Sequence, residues 1–444
     1  NLMENNFLKF ENDLKKIYSW NLTYSQKARS IYPKNIEELK NIIFLLKKEK
    51  KKFAIKTGEC SYDSKSLASE NSKIIISLKN FNQIKEVNLE KNFIIVESGV
   101  KISQIIERIF HKNVSLYAVP GGENVTIGGA IAGNVFGKDS TNLNSSFGDS
   151  IFSIKTITYD GEIQILNRQN KDFFDYVGSF GLFGIILEAK IRIKKTPSPN
   201  LEMNCKIFNN INDILKELDS NNSDYKYVQI DPFFRKENFG IAFKAKYIEN
   251  NENLFKKKYL KSNFLDKFFF KLSSFLVNKI TWKIFYSLFF LIHKNKKQIM
   301  NIHNFHYASK YKHMIPLICR GGLKEYEIIG KLKFNLIFDE IKNFIKLNNM
   351  LPIYIIMKKH FKSKQEYFYS FNDNGYSISF AFSKKNFNSE KIIQFKDIVE
   401  KYNLKVNLTK TDDFKLSLKS LSKNSIFMSR YKEIMMENKN EISR

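Results

Sequence analysis

Seven of the chain's 18 glycines fall between Gly121 and Gly148, in the stretch PGGENVTIGGAIAGNVFGKDSTNLNSSFG. Glycine lacks a Cβ and tolerates positive φ, so such density marks a backbone that must approach something large very closely. The apolar letters among the glycines (Val125, Ile127, Ala130, Ile131 and Ala132) make the stretch a buried crossing and not an exposed linker. Main-chain N–H groups along such a crossing can bind phosphate without a charged side chain. A nucleotide cofactor is the first expectation.

The flanking pattern alternates helices and strands. Asn35 can cap a periodic run in which Ile36, Leu39, Ile42, Ile43 and Leu46 share one face. Strand-like segments follow at Phe53–Lys56, Ile74–Leu78 and Phe93–Glu97, then a second helix carrying Ile102, Ile105, Ile106, Ile109 and Phe110. Beyond the glycines, Ile151–Tyr159 and Glu162–Leu166 flank Asp160-Gly161, a tight-hairpin signal. Leu187, Ala189, Ile191 and Ile193 alternate with charged residues, as in a half-buried strand. Two of the seven prolines then fall in TPSPN, Thr196–Asn200, where a domain boundary is expected.

The second half predicts a helix near Ile211–Leu218, strands at Tyr225–Asp231 and Gly240–Tyr247, and later strands at Lys324–Ile329, Ile353–Lys358 and Tyr376–Phe382. Helices Lys333–Leu347 and Ser389–Tyr402 interrupt them, which implies an antiparallel sheet with helices on one face. Phe264–Ile292 interleaves aromatic residues with Lys267, Lys271, Lys279 and Lys283. Its longest uncharged run, Ile284–Ile292, is too short to span a bilayer. Two readings stand: an amphipathic element lying in a membrane interface, or a core helix pair.

Composition narrows the class. With 444 residues the chain has room for two or three cores, and 43% hydrophobic content excludes wholesale disorder. The 73 Lys and Arg against 45 Asp and Glu give a net charge of +28, which suits an acidic partner: nucleic acid, an anionic membrane or a phosphorylated substrate. Cys60, Cys205 and Cys319 show neither a paired spacing nor a metal pattern, so a reducing compartment is expected. The first residues lack an apolar signal core, consistent with a cytoplasmic chain.

Taken in order, VPGGENVTIGGAIAGNVFGKDS, SFGDSI, TYDGEI and VGSFGLFGII resemble the FAD-binding domain of the vanillyl-alcohol-oxidase-like, PCMH-type flavoproteins. Within that family they are most similar to the decaprenylphosphoryl-β-D-ribose 2′-oxidase branch. The resemblance covers most of Phe53–Lys194 and returns weakly around Lys324–Ile329, Lys358, Tyr376–Phe382 and Lys410. It implies an α+β architecture: a two-subdomain FAD-binding domain over 1–197, a substrate or cap domain over 198–404 with an antiparallel sheet and helices, and a segment, 405–444, returning to the FAD side.

By the same resemblance, the loop carrying Lys56, Thr57, Gly58, Cys60, Ser61 and Tyr62 wraps the pyrophosphate and ribose. It does so together with Pro120, Gly121, Thr126, Ile127, Gly128 and Gly129. Ala132, Asn134, Gly137 and Lys138 lie nearby, and Phe147, Gly148, Gly181, Gly184 and Ile185 line the flavin side. Glu59 stands at a glycine-like place where a carboxylate would repel phosphate unless turned away. Between Gly121 and Gly148 there is no His or Cys, the residues that attach the cofactor covalently in some members, so non-covalent FAD is expected.

The resemblance places Lys410, in LTKTDD, beside the flavin, as a cation stabilising its reduced form or as a desolvated base. Lys358, Glu325, Glu327, Ser379 and His306 fall at substrate-side positions, with Ser379 replacing a reactive cysteine and Ala381 an acidic residue. His303, His306 and His313 lack acidic or cysteine partners at ligand spacing, so no metal is expected. The leading function is FAD-dependent oxidation of a sugar hydroxyl, on a polyprenyl-phosphate-linked pentose at the inner face of the membrane. A short-chain reductase would complete the epimerisation. The alternatives are a soluble sugar, aldonolactone or hydroxy-acid oxidase, a basic nucleic-acid-binding protein, for which no reading motif is present, and a scaffold that has lost its flavin.

Overall fold

The computed structural model describes residues 14–65, 67–139, 146–158, 160–249, 264–307, 312–331, 333–414, 429 and 432–433. Most of the expected 405–444 segment, and Tyr159 at the end of one expected strand, lie outside the described residues.

Three sheets organise the chain. The first contains β1 (Lys15–Tyr18), β2 (Ser25–Ile31), β3 (Ala54–Lys56) and β4 (Ile74–Ser77) in the order β1-β2-β4-β3. Helix α1 (Ile36–Lys48) covers it, and the Asn35 side chain accepts from the Glu38 N–H at its start. Leu39, Ile42, Ile43 and Leu46 bury their side chains against Ile74, Ile76 and Phe53. The 3.6-residue period of the sequence is thereby used on one face only.

The second sheet contains β5 (Ile84–Asn88), β6 (Phe93–Glu97), β7 (Val114–Leu116), β8 (Ile151–Ile157), β9 (Ile163–Asn167) and β10 (Ile185–Lys195). Its order is β5-β6-β10-β8-β9, and β7 pairs off this path with the C-terminal end of β10. Helix α2 (Ile102–Ile109) packs on it through Ile102, Ile105, Ile106 and Ile109. The hairpin at Asp160-Gly161 joins β8 to β9, with Gly161 at φ +81°. Part of the glycine-rich stretch coils into a short helix, α3 (Ile127–Ala132), which the sequence pattern does not predict. Two glycines in six residues oppose helix by about 1 kcal/mol each. The helix is held from outside instead: Ile127 N–H donates to the Val100 carbonyl at 2.9 Å and Gly128 N–H to Ser98 at 2.8 Å.

The third sheet has eight strands: β11 (Asn200–Phe208), β12 (Tyr225–Ile230), β13 (Gly240–Tyr247), β14 (Lys297–Asn301), β15 (Leu323–Gly330), β16 (Tyr354–His360), β17 (Gly375–Ser383) and β18 (Lys405–Val406). They run in the order β14-β11-β13-β12-β16-β17-β15-β18, every pair antiparallel. Helices α4 (Ile211–Asp219), α5 (Phe264–Ser273), α6 (Lys279–His293), α7 (Phe334–Leu347) and α8 (Ser389–Lys401) accompany it.

The two faces of this sheet have different occupants. Val228, Ile230, Tyr326, Ile328, Ile355, Met357, Ile378 and Phe380 pack with α4, α7 and α8 in one apolar core. The residues between them, Tyr227, Gln229, Glu325, Glu327, Tyr354, Ile356, Lys358 and Ser379, line a cavity. Alternation along a strand sends successive side chains to opposite faces, so one register builds both the core and the roof of the site.

Candidate active site

The cavity lies between the roof of the third sheet and the loops of the first two, with a volume of about 1200 Å³. That exceeds the ~300–1,000 Å³ usual for small-molecule sites. Its floor is main chain. The 56–62 loop faces the 120–129 stretch, and Thr126 Oγ1 donates to Thr57 Oγ1 at 2.7 Å across the seam. A Cβ on Gly58 would stand 2.6 Å from the Asn124 carbonyl oxygen, so glycine is what lets the two loops meet. Gly181, at φ +75°, has no protein atom within 4 Å of where a Cβ would stand, and it faces the cavity.

Of the expected cofactor residues, Lys56, Thr57, Gly58, Cys60, Ser61 and Tyr62 line this space, with Pro120, Gly121, Thr126, Gly128 and Gly129 opposite. Ala132, Asn134, Gly137, Lys138, Gly181 and Gly184 complete the floor. Four expected residues do not reach it. Ile127, Phe147 and Ile185 are core side chains no more than 1% exposed. Gly148 packs behind the wall, where its N–H donates to Asn134 Oδ1 at 2.9 Å and a Cβ would collide with Val177. The sequence neighbours of Ile127 and Ile185 (Thr126, Gly128, Gly184 and Ile186) face the cavity, whereas Phe147 and Gly148 lie with their own neighbours behind its wall.

Glu59 adopts φ +56°, the conformation a glycine would take there. Its side chain is 71% exposed and pairs with Lys56 Nζ at 3.5 Å, so the charge is turned to solvent and neutralised. Burial pushes the Cys60 thiol up to about 12. It therefore stays protonated and is a poor nucleophile for covalent attachment.

The polar head of the cavity is a compact cluster. Glu325, 3% exposed, accepts from Tyr62 Oη at 2.5 Å, Ser379 Oγ at 2.6 Å and Lys410 Nζ at 3.0 Å. Burial would raise the Glu325 carboxyl, but the Lys410 charge and these donors outweigh it and hold the pKa low. Burial likewise works against the Lys410 ammonium, yet Glu325 and Glu327 raise its pKa above the ordinary value. The expectation that Lys410 could act as a base is corrected: its carboxylate partners keep it protonated.

Beside this pair, Glu327 accepts from Asn407 Nδ2 at 2.9 Å and Ser377 Oγ at 3.3 Å. Lys358 lies 4.0 Å from Glu327 and over the Phe136 ring at 4.8 Å. Burial lowers the Lys358 pKa, and the Lys410 charge adds to that effect. His306 lines the cavity at 2% exposure, edge-on to Tyr225 at 5.0 Å.

The sequence reading missed the aromatic side wall. Phe136, Tyr227 and Phe243 line the cavity, as do Trp282, Tyr286 and Phe289 of α6. Tyr286 Oη donates to the Ile353 carbonyl at 3.0 Å and Trp282 Nε1 to the same oxygen at 3.1 Å, which fixes α6 against the sheet. Their spacing, i and i+4, was visible, but nothing local says that a cavity and not a core lies beneath.

Comparison with known proteins bears on the floor of the site. Residues 28–167 match the model of the FAD binding domain. The chain is similar to decaprenylphosphoryl-beta-D-ribose oxidase of Mycolicibacterium smegmatis, 30% identical over 132 residues, 29% of this chain and 28% of that one. It is 29% identical over 182 residues to reticuline oxidase of Eschscholzia californica, covering 40% and 33%. To L-gulonolactone oxidase of Scyliorhinus torazame it is 22% identical over 178 residues, covering 39% of each. The matched stretches thus span 28 to 39% of those relatives' own lengths. Among solved structures, alkyldihydroxyacetonephosphate synthase superposes with a TM-score of 0.60 at 15% identity, over 90% of this chain and 76% of that one, a likeness of fold. The glycine floor, the cavity's size and the matched model agree on FAD as the cofactor, and residues 28–167 are the chain's FAD binding domain.

Proposed function

We propose that the chain is an FAD-dependent oxidase of a secondary sugar hydroxyl, acting on a pentose carried by a polyprenyl phosphate and yielding the 2′-keto sugar. The observation that carries the reading is the Lys410–Glu325–Tyr62 cluster, its carboxylate buried and its lysine half-buried, set between a glycine floor and an aromatic wall. FAD, held non-covalently, supplies the hydride acceptor. The 56–62 and 120–129 loops hold it by main chain, with Lys138 beside them. Lys410 presents a fixed positive charge in a water-poor site, where charge developing in the transition state is best stabilised. Glu327, Asn407 and Ser379 offer hydrogen bonds to sugar hydroxyls. A reductase acting on the keto sugar would consume the product.

Lys358 accepts the hydroxyl proton. Its pKa is lowered while that of Lys410 is raised, so the two lysines are pushed toward opposite roles. As pH rises through the Lys358 pKa the amine becomes neutral and competent. The rate of flavin reduction should therefore climb along a limb lying below the ordinary lysine value of 10.5. Lys358→Met should abolish that limb while leaving flavin bound; an unaltered limb assigns the proton elsewhere.

The reading itself is tested by anaerobic mixing. Bleaching of the flavin by prenyl-phospho-pentoses, and not by free sugars, aldonolactones or 2-hydroxy acids, is expected. Bleaching only by an aldonolactone would move the assignment to the soluble-oxidase alternative. A protein that releases no flavin on heating overturns both.

A further inference from the structure

Helix α6 is apolar on both sides. Its inner side, Trp282, Tyr286, Phe289 and Phe290, meets the cavity and the core. Its outer side carries Ile280, Ile284, Leu288, Leu291 and Ile292, between 53 and 74% exposed. Phe268, Phe269, Leu272 and Phe275 of α5 and the turn after it are exposed to a similar degree. A helix hydrophobic all round belongs inside a core or against lipid, and soluble monomers rarely leave contiguous apolar patches of this kind.

Two further observations select the occupant. Between Phe264 and Met300 there are seven lysines and one acidic residue, Asp266. Lys267, Lys271, Lys279, Lys283, Lys294 and Lys297 are exposed, so the apolar side is rimmed by positive charge. Leu276 and Phe285 are 65% and 49% exposed and also line the cavity. The outer apolar side is therefore continuous with the site. Among the described residues no helix is long and apolar enough to cross a membrane.

We propose that α5 and α6 form a docking face for an anionic lipid bilayer. The face seats the cavity mouth at Leu276 and Phe285 in the interface, so that a lipid-tailed substrate enters sideways without leaving the membrane. Lysines meet the headgroups and the Ile, Leu and Phe side chains insert among the acyl chains. This rests on the proposed function for the substrate's tail but not for the docking itself.

The test uses the full chain with vesicles of phosphatidylcholine and phosphatidylglycerol. Co-sedimentation should be strong with the mixed vesicles, weak with phosphatidylcholine alone, and reduced by salt. Ile284→Glu/Leu288→Glu/Leu291→Glu changes only exposed positions and should lower the bound fraction at least about tenfold. Flavin content and reduction by a short-chain, water-soluble substrate analogue should be unchanged in that variant. Equal sedimentation of wild type and variant overturns the proposal. So does a wild-type dimer in solution that the triple variant makes monomeric without weakening vesicle binding, since a second copy then covers the face. A flavin that no prenyl-phospho-sugar reduces, with vesicle binding intact, would remove the proposed function and leave the docking face standing.

Discussion

Lys410→Ala should keep its flavin and lose roughly 100- to 1,000-fold in the rate of flavin reduction, the usual loss when one preorganised charge is removed from a site. The ammonium touches the site from the 407–413 segment, while the floor that binds the cofactor comes from residues before Gly184, so binding and rate should separate. Without Lys410, Glu325 keeps the Tyr62 and Ser379 hydroxyls but loses the charge that holds its pKa down. It should then take up a proton, adding to the residual activity a second pH-dependent limb that the wild type lacks. Glu325→Gln provides the reciprocal measurement: Lys410 loses its nearest negative partner, its pKa falls, and activity should decline as pH rises through the new value. Stopped-flow reduction of both variants decides the matter. An undiminished Lys410→Ala rate would remove the lysine from the chemistry.

Asp63→Ala should destabilise the protein by about 3–5 kcal/mol, the range for breaking a buried charge pair from one side. Asp63 is 0% exposed and ties three distant parts of the chain together. It accepts from Asn21 Nδ2 at 2.8 Å and Thr23 Oγ1 at 2.6 Å near the start, from Lys324 Nζ at 3.2 Å on β15, and from the Asp412 N–H at 3.0 Å. Lys324 reaches on to Asp413 at 2.8 Å, and Lys65 pairs with Asp412. Burial alone would raise the Asp63 pKa, but Lys324, Lys65 and the side-chain donors lower it. A carboxylate held below its unfolded value contributes stability above that value, about 3.9, and loses it as pH falls through the folded pKa. Urea midpoints should therefore drop for wild type below about pH 4, and Asp63→Asn should flatten that acid limb. Equal midpoints for Asp63→Ala and wild type would show that the brace is redundant.

How much of this was legible in the sequence depended on whether the signal was local. The Asn35 cap, the Asp160-Gly161 hairpin and the alternation in β10 are short-range patterns, and each appears where the sequence puts it. Glu325 and Glu327 share a strand face by the same period of two. Helix α3 and strands β1 and β2 escaped because glycine pairs and mixed polar runs carry no propensity, and outside contacts hold them in place. Tyr227 and Gln229 were hidden differently: a strand with Val228 and Ile230 facing a core looks the same whether its other side meets solvent, protein or ligand. The four floor residues that proved to be core show the same limit, since resemblance located the stretch but not which side of it faces inward.

The two-faced third sheet has a consequence for how such a chain can change. In the middle of β12, β15, β16 and β17, Val228, Ile230, Tyr326, Ile328, Ile355, Met357, Ile378 and Phe380 are committed to the helix-packed interior, and Tyr227, Gln229, Glu325, Glu327, Tyr354, Ile356, Lys358 and Ser379 between them address whatever occupies the cavity. Point replacements at the second set can retune ligand preference while the scaffold's packing stays intact. A single-residue insertion in any of these strands would exchange the two sets at once, thrusting carboxylates and lysine into oil and isoleucine into the chemistry. Diversification of this fold is thus expected to proceed by substitution inside the strands, with length variation confined to the loops between them.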